Sequence, residues 1–421
     1  MKLFLFMVLI GIILYWRHDK GSIHSLYFMR LQEQLQKYGV SHPRLVLDLD
    51  SLDHNIERVS EHFGDTSEVR IVAKSLPCFE LIEYLQEKLQ TNRLMVFHQP
   101  FLVQQLERFP HADILIGKPF PISALRKTLE HSEQMSVAAV ERVKWLVDNI
   151  DRLKQYRKLA IEKQVTLKVA VELDVGLHRG GVEKTDELRV MLKQISEDDE
   201  HFQFSGFVGY EPHIGKIPEL LKGQREPARV SALRQYQEFV DVVKNEFPSL
   251  WNDDLCLNGG GSMTYQLYPE NDRTPFNELA LGSAFVKPTD FDLFSLTDHK
   301  PAIYIATPVL KVLDRLQIPV MEKLNGFWKA LTPNMARSYF IYGGWWKAVL
   351  ESPKGLSNNA LYGRSTNQEL LTGSESTGLG VDDFVFLRPT QSEAVLLQFG
   401  RILVVRKEQV VGEWESFDQS Y

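Results

Sequence analysis

Eight times between residues 70 and 286, a short apolar run ends in polar or glycine residues, and stretches of helical period separate the runs. The runs are "RIVAK" (70–74), "LMVFH" (94–98), "DILIGK" (113–118), "KWLVDN" (144–149), "TLKVAVELD" (166–174), "FSGFVGY" (204–210), "DLCLNGG" (254–260) and "ELALGSAFV" (278–286). Between them lie segments such as "FELIEYLQEKLQ", "QPFLVQQLERF" and "PARVSALRQYQEFVDVVKNEF". Strands alternating with helices make βαβ units and a parallel sheet. Eight of them in roughly 220 residues is the arithmetic of a (β/α)8 barrel. An open doubly wound sheet competes with this, but it needs fewer strands and no GxGxxG follows the first run. The expected fold class is α/β, with a TIM-type barrel over 70–292.

Beyond residue 295 the pattern changes. "AIYIATPVLKVL", "SYFIYGG", "DDFVFLRP", "AVLLQFG" and "RILVVRKEQVVGEW" read as short strands, so 293–421 is expected to be a C-terminal β-domain. "KPTDFDLF" (287–294) is the expected hinge, and 351–380 reads as loop. Ahead of the barrel, "SLYFMRLQEQLQKYGV" has the period of a surface or connecting helix and "RLVLDLD" that of a half-buried strand. Residues 21–69 thus form a helix and strand that join the β-domain.

The first 20 residues differ in kind. An uncharged run from Leu3 to Trp16 lies between Lys2 and Arg17. It is shorter than the roughly 20 residues of a spanning helix and within the ~7–15 of a signal core. No small-x-small cleavage site follows, and Trp16 with its flanking cations suits an interface. The expectation is an uncleaved membrane anchor through residues 3–16, with the side of the membrane open. The alternatives are a removed export signal and a buried helix of a cytoplasmic protein. A net charge of -7 offers no basic stripe for nucleic acid. Cys78 and Cys256, the 2 cysteines, leave no disulfide framework or cysteine-built zinc site, and are expected as buried thiols.

Barrel enzymes carry their chemistry at the C-terminal ends of the strands. There the first strand ends in Lys74 and Ser75, and others in His98, Asp148, Asp174 and Tyr210. A lysine in such a mouth is partly desolvated, which favours the neutral amine that attacks an aldehyde. Lys74 thus suits the Schiff-base role of a pyridoxal-phosphate enzyme, although a strand lysine facing water is the commoner case. "LNGGGSMTY" follows the seventh strand: Gly259, Gly260 and Gly261 let backbone N–H groups approach phosphate oxygens, and Ser262 and Thr264 add hydroxyls. Gly282 and Ser283 lie within strand eight. In "VELDVGLHRGGVE", Arg179 offers planar donors to a cofactor or a substrate carboxylate, or else pairs structurally with Asp174. In "GYEPHIGK", Tyr210 could pack on a cofactor, and His213 is either a proton carrier or an ordinary loop histidine.

The order lysine strand, "ELDVGLHRGGV", "GFVGYE", "GGGSMT", "ELALGS" and a C-terminal β-domain resembles the alanine-racemase-type (fold type III) pyridoxal-phosphate enzymes. Within them it is most similar to the D-threonine aldolase / D-serine dehydratase-like branch, over roughly residues 40–415. The resemblance implies pyridoxal phosphate joined to Lys74 and surrounded by Arg179, Tyr210 and the 259–264 loop, with Gly282 and Ser283 near the phosphate. It also implies a small amino-acid substrate of D configuration and a homodimer. Retro-aldol cleavage of a D-3-hydroxy amino acid is the first expectation, β-elimination the second and racemisation the third. A non-catalytic cofactor-binding protein is the rival from another class.

Two departures bear on the chemistry. Members of that branch carry histidines two residues before and two after the lysine, where this chain has Val72 and Leu76. Their divalent-metal pair in the C-terminal domain matches "RPTQSEAV", which supplies Gln391 and Glu393. A carboxylate can hold Mg²⁺ or Mn²⁺, but an amide is a weak ligand and the zinc-suited histidine is missing. Glu393 is the single candidate ligand, or else a substrate-binding or acid/base carboxylate or a turn cap, and metal dependence is not carried over.

Overall fold

The computed structural model describes residues 18–135, 141–314, 332–359 and 363–418. It divides into two compact units, one of 51–300 with 415–421 and one of 1–50 with 301–414. The divisions fall at 50/51 and 300/301, where the sequence suggested 69/70 and 292/293. The helix Leu49–His62 explains the shift, because Asn55 donates through Nδ2 to the carbonyls of Phe285 (2.8 Å) and Lys300 (2.7 Å). The 287–294 stretch accordingly lies inside the barrel unit.

In the smaller unit, β1 (Arg44–Asp48) runs antiparallel to the later strand 303–313 and parallel to 401–406. The helix Leu26–Tyr38 is more than a surface connector: it buries Phe28, Leu31 and Leu35 with Val46, Tyr304, Phe386 and Leu403. Spacings of three and four residues put these side chains on one helical face. The helix ends at Gly39 in the left-handed region, φ 83°.

The larger unit is a closed barrel of parallel strands. They are β2 (Val69–Val72), β3 (Arg93–Val96), β4 (Asp113–Ile116), β5 (Val143–Val147), β6 (Leu167–Leu173), β7 (Phe202–Gly209), β8 (Cys256–Gly259) and β9 (Glu278–Leu281). Each coincides with one of the eight apolar runs. Helices connect the strands around the outside of the ring, and the strands are buried almost throughout and read as continuous apolar runs. The ring closes where β2 pairs with β9, Val69 against Leu279 through Ile71 against Leu281. At the N-terminal end Arg70, fully buried, donates to Glu278, to Asp113 and to the carbonyl of Leu94. This ionic floor satisfies a charge that would otherwise be costly inside. The chain's tail returns to this unit: Phe417 donates its N–H to the Pro77 carbonyl (2.8 Å) and packs on Phe79 and Phe101.

The smaller unit continues with β10 (Ile303–Leu313), β11 (Arg337–Tyr342), β12 (Ala348–Ser352), β13 (Ser357–Asn358), β14 (Gln368–Gly373), β15 (Phe384–Pro389), β16 (Arg401–Arg406) and β17 (Gln409–Glu415). They form a nine-stranded, mostly antiparallel sheet with β1 between β10 and β16. Two expectations change. "AVLLQFG" is not a strand, because Ser392–Leu396 is a short helix; an apolar run this short fits either period. The 351–380 stretch holds β13 and β14 as well as loop. The anchor expected at residues 3–16 lies outside the described residues, among which no helix is long and apolar enough to cross a membrane.

Candidate active site

The turn after β2 sets the position of Lys74. The strand ends at Val72, earlier than the sequence suggested, and Ala73–Ser75 form a single 3-10 turn. Lys74 is therefore carried by the turn above the strand. Its Nζ stands 4.5 Å from the centroid of the Phe97 ring, which follows β3. Gly117, after β4, makes room for that ring: a Cβ there would fall 2.2 Å from Phe97 Cζ. A cation over an aromatic face is attracted to the ring electrostatically.

The glycine-rich loop reaches the same corner through the barrel's closure. A Cβ on Gly282 would meet Ser75 Cβ at 2.9 Å and the Val72 carbonyl oxygen at 3.0 Å. Glycine thus lets the end of β9 press against the turn that carries Lys74. The N–H of Gly282 donates to Ser262 Oγ at 3.0 Å, which leaves the Ser262 hydroxyl hydrogen to donate elsewhere. Gly282 and Ser283 are not strand residues as expected: β9 ends at Leu281, and a one-turn helix begins at Ser283, which is buried.

Three neighbours exclude side chains from the glycine triplet. A Cβ on Gly259 would enter the Phe276 ring, one on Gly260 would meet Leu279 Cδ2 at 2.9 Å, and one on Gly261 would meet Tyr210 Cε2 at 2.8 Å. Gly260 also has φ 61°, which L side chains rarely adopt. Tyr210 is half-buried at the end of β7, and the Arg179 guanidinium lies 5.3 Å from its ring centroid. Arg179, Tyr210 and Gly261 therefore form one row from the loop after β6 to the loop after β8.

Thr264 differs from expectation. It is fully buried, and its hydroxyl donates to Glu211 Oε1 at 2.9 Å, so it braces the loop from behind and is not a free donor. Glu211, which sequence reasoning passed over, is also fully buried. Burial raises its carboxyl to about 7 against the opposing bonds from Thr264, Tyr268 and the Gly260 backbone. Its position directly after Tyr210 in "GYEPH" was the available signal.

Asp174 does not pair with Arg179. Its Oδ1 accepts the N–H groups of Gly176 (2.9 Å) and His178 (3.0 Å), and its Oδ2 faces His178 Nδ1 at 3.1 Å. Burial works against the anion, yet these donors hold the carboxyl below its usual range. Asp174 is the organiser of that loop. Glu172, one turn of pleat below, is pushed up by burial, against which the Arg179 charge works, while Asp148 and Asp174 add to the rise. His213 lies in the single turn Pro212–Gly215, half-buried, with no hydrogen bond at Nδ1. Its ring atoms come within 3.5 Å of where a Gly176 Cβ would stand. Burial and then the nearby His178 charge keep its imidazole below the ordinary value.

The described residues contain one group of three or more metal-ligating side chains, Asp174, His178 and Glu183, with donor atoms within 4.8 Å of one another. Two oxygen sites of Asp174 are already used by backbone N–H groups. Glu393, in the helix Ser392–Leu396 of the other unit, belongs to no such group among the described residues, and Gln391 accepts from Lys347 (2.5 Å). The donor set at the barrel mouth suits a phosphorylated aromatic aldehyde better than a metal. A primary amine stands over an aromatic ring, and residue types that suit anionic oxygen, the glycine triplet, Ser262 and Arg179, lie on the loops at the strand ends.

Residues 47–288 match the family model of the alanine racemase N-terminal domain. Among solved structures, the D-threonine aldolase from Filomicrobium marinum is similar with a TM-score of 0.69 at 15% identity, over 89% of this chain and 96% of that one. The D-threo-3-hydroxyaspartate dehydratase from Delftia sp. HT23 gives 0.67 at 13%, over 95% and 99%. The alanine racemase from Bacillus anthracis gives 0.65 at 15%, over 89% and 97%. No curated protein sequence matches the chain.

Proposed function

This chain belongs to the alanine racemase N-terminal domain family, and from that premise we propose that it is a pyridoxal-phosphate-dependent lyase that cleaves a D-3-hydroxy amino acid by retro-aldol chemistry. The observation that carries the cofactor assignment is the contact of Gly282 with Val72 and Ser75, with its N–H on Ser262. It brings an amine, a glycine cradle and a free hydroxyl donor to one corner of the barrel mouth. Lys74 is the residue that would hold the aldehyde, and Gly259, Gly260, Gly261 and Ser262 the phosphate. When bound, the cofactor's ring supplies an electron sink for a bond broken at the α-carbon.

The chain's own groups favour cleavage between the α- and β-carbons. That reaction needs a base to take the β-hydroxyl proton as the aldehyde leaves. His213, held neutral by burial and with Nδ1 unbonded, is suited to accept it. β-Elimination instead needs an acid to protonate the departing hydroxyl, which a neutral imidazole does not provide. Arg179, beside Tyr210, carries the planar donors that suit a carboxylate, which supports it as the substrate-binding residue. Two of the similar structures carry names of enzymes acting on D-3-hydroxy amino acids, which supports the same substrate class.

The test is product identification from D- and L-threonine with the cofactor-loaded protein. Acetaldehyde and glycine from the D-form alone is the expected result. Ammonia with a keto acid would replace the reading by elimination, and conversion of one enantiomer into the other would replace it by racemisation.

A further inference from the structure

Glu211 takes no part in the chemistry above, yet it is fully buried directly behind the glycine cradle. One oxygen accepts the Thr264 hydroxyl at 2.9 Å, and the hydroxyl of the neighbouring Tyr268 also acts on this carboxyl. The Gly260 N–H also bears on this carboxyl. Three groups of the 259–268 loop therefore converge on one side chain from β7's end. We propose that Glu211 is a positioning residue which, as a neutral acid, holds the glycine-rich loop in its phosphate-receiving form, so that loss of its proton loosens the grip on a phosphate ester.

The physical reason is like-charge opposition between a buried carboxylate and an anion on the loop it braces. An ionised Glu211 would draw the Gly260 N–H and the Thr264 hydroxyl inward and set a negative charge behind a cradle that must take another anion. A neutral Glu211 still accepts from Thr264 and has a proton to give toward Tyr268. The groups facing it are Thr264 and Tyr268 from the loop after β8, and Tyr236 from the helix Arg225–Glu246. Tyr236 donates to the carbonyls of Phe207 and Asn258. Arg229 of the same helix lies 5.9 Å from the Tyr268 ring centroid and is committed to Glu226 and Asp272. No cation is thus placed to neutralise Glu211 directly among the described residues. The apo value of about 7 puts the change in the physiological range. An anion bound nearby favours the protonated form, so binding takes up a proton and weakens as pH rises.

This inference rests on the pyridoxal-phosphate reading and is tested with the full chain. Pyridoxal phosphate is titrated by the change in its absorbance, from about pH 6 to about pH 8, for wild type and Glu211→Gln, with phosphate-free pyridoxal in parallel. The wild-type affinity should fall roughly tenfold over that range, while Glu211→Gln and the pyridoxal titrations should lack that component. Glu211→Gln preserves the acceptor for Thr264, and its unfolding midpoint without cofactor checks that it folds. A pH profile shared by both proteins, or one shared by pyridoxal, would overturn the role of Glu211 while leaving the cofactor in place. Absence of any binding by wild type would remove the cofactor reading, and this inference with it.

Discussion

Replacing Gly282 by alanine should strain the corner of the barrel mouth where β9 ends against the Lys74 turn. The added Cβ would stand 2.9 Å from Ser75 Cβ and 3.0 Å from both Val72 Cβ and the Val72 carbonyl oxygen. Ordinary carbon contacts begin near ~3.5 Å, so each must open by about half an ångström. Backbone on both sides belongs to the β2–β9 closure and cannot swing away as a long side chain would. Overpacking of this kind costs about 1–3 kcal/mol. The Gly282 N–H is also moved off Ser262 Oγ, a bond worth about 0.5–1.5 kcal/mol. The sum is about 2–4 kcal/mol, read as a lower urea midpoint at unchanged slope. Ser262→Ala removes only the hydrogen bond and should lose about 1 kcal/mol. Gly223→Ala, which meets nothing within 4 Å, should stay within about 0.5 kcal/mol of wild type. Cofactor affinity should fall for Gly282→Ala and for Ser262→Ala, which also loses a phosphate donor, and should not change for Gly223→Ala. A Gly282→Ala protein as stable as Gly223→Ala, binding pyridoxal phosphate as wild type does, would refute the packing argument.

Arg70→Met should cost about 3–5 kcal/mol in denaturant unfolding at neutral pH, because Glu278 keeps its buried charge and loses its main partner, while half-buried Asp113 keeps Lys144. Burial alone would raise both carboxyls, and Arg70 reverses that to a lowering. Their stabilisation is therefore present above the usual carboxylate range and lost in acid, so the deficit of the variant should shrink as pH falls. If His213 is the base, kcat/KM should decline only below the ordinary histidine range, and His213→Asn should lose that limb while still binding cofactor. An unchanged limb in the variant would remove His213 from the chemistry. Burial pushes the thiols of Cys78 and Cys256 up, so iodoacetamide should label neither in the native protein at neutral pH and both in denaturant.

The barrel was legible because its strands are buried on both faces and its connections are helical: two different periods alternate along the chain, and each switch marks an element. The same local signal cannot say where a strand stops. Val72 ends β2 because the next three residues turn, and that turn, not the strand, aims Lys74 at Phe97. The glycine triplet was visible in the sequence, but the neighbours that require glycine, Phe276, Leu279 and Tyr210, come from three separate segments. Thr264 was read as a phosphate donor because a hydroxyl near glycines suits one. Its direction is decided by Glu211, 53 residues away in sequence. Similarly, "RLVLDLD" reads as a half-buried strand, but β1 is buried from Leu45 to Asp48 because it lies between two partners beyond residue 300 that no periodicity within it identifies.

The central claim is that Lys74 holds pyridoxal phosphate at the mouth of the barrel. Borohydride reduction of the cofactor-loaded protein, followed by peptide mass spectrometry, tests it most directly. The account predicts a stable adduct of reduced pyridoxal phosphate on the peptide that contains Lys74, and none on that peptide in Lys74→Ala. An adduct concentrated on another lysine, or no adduct from protein saturated with the cofactor, would contradict it.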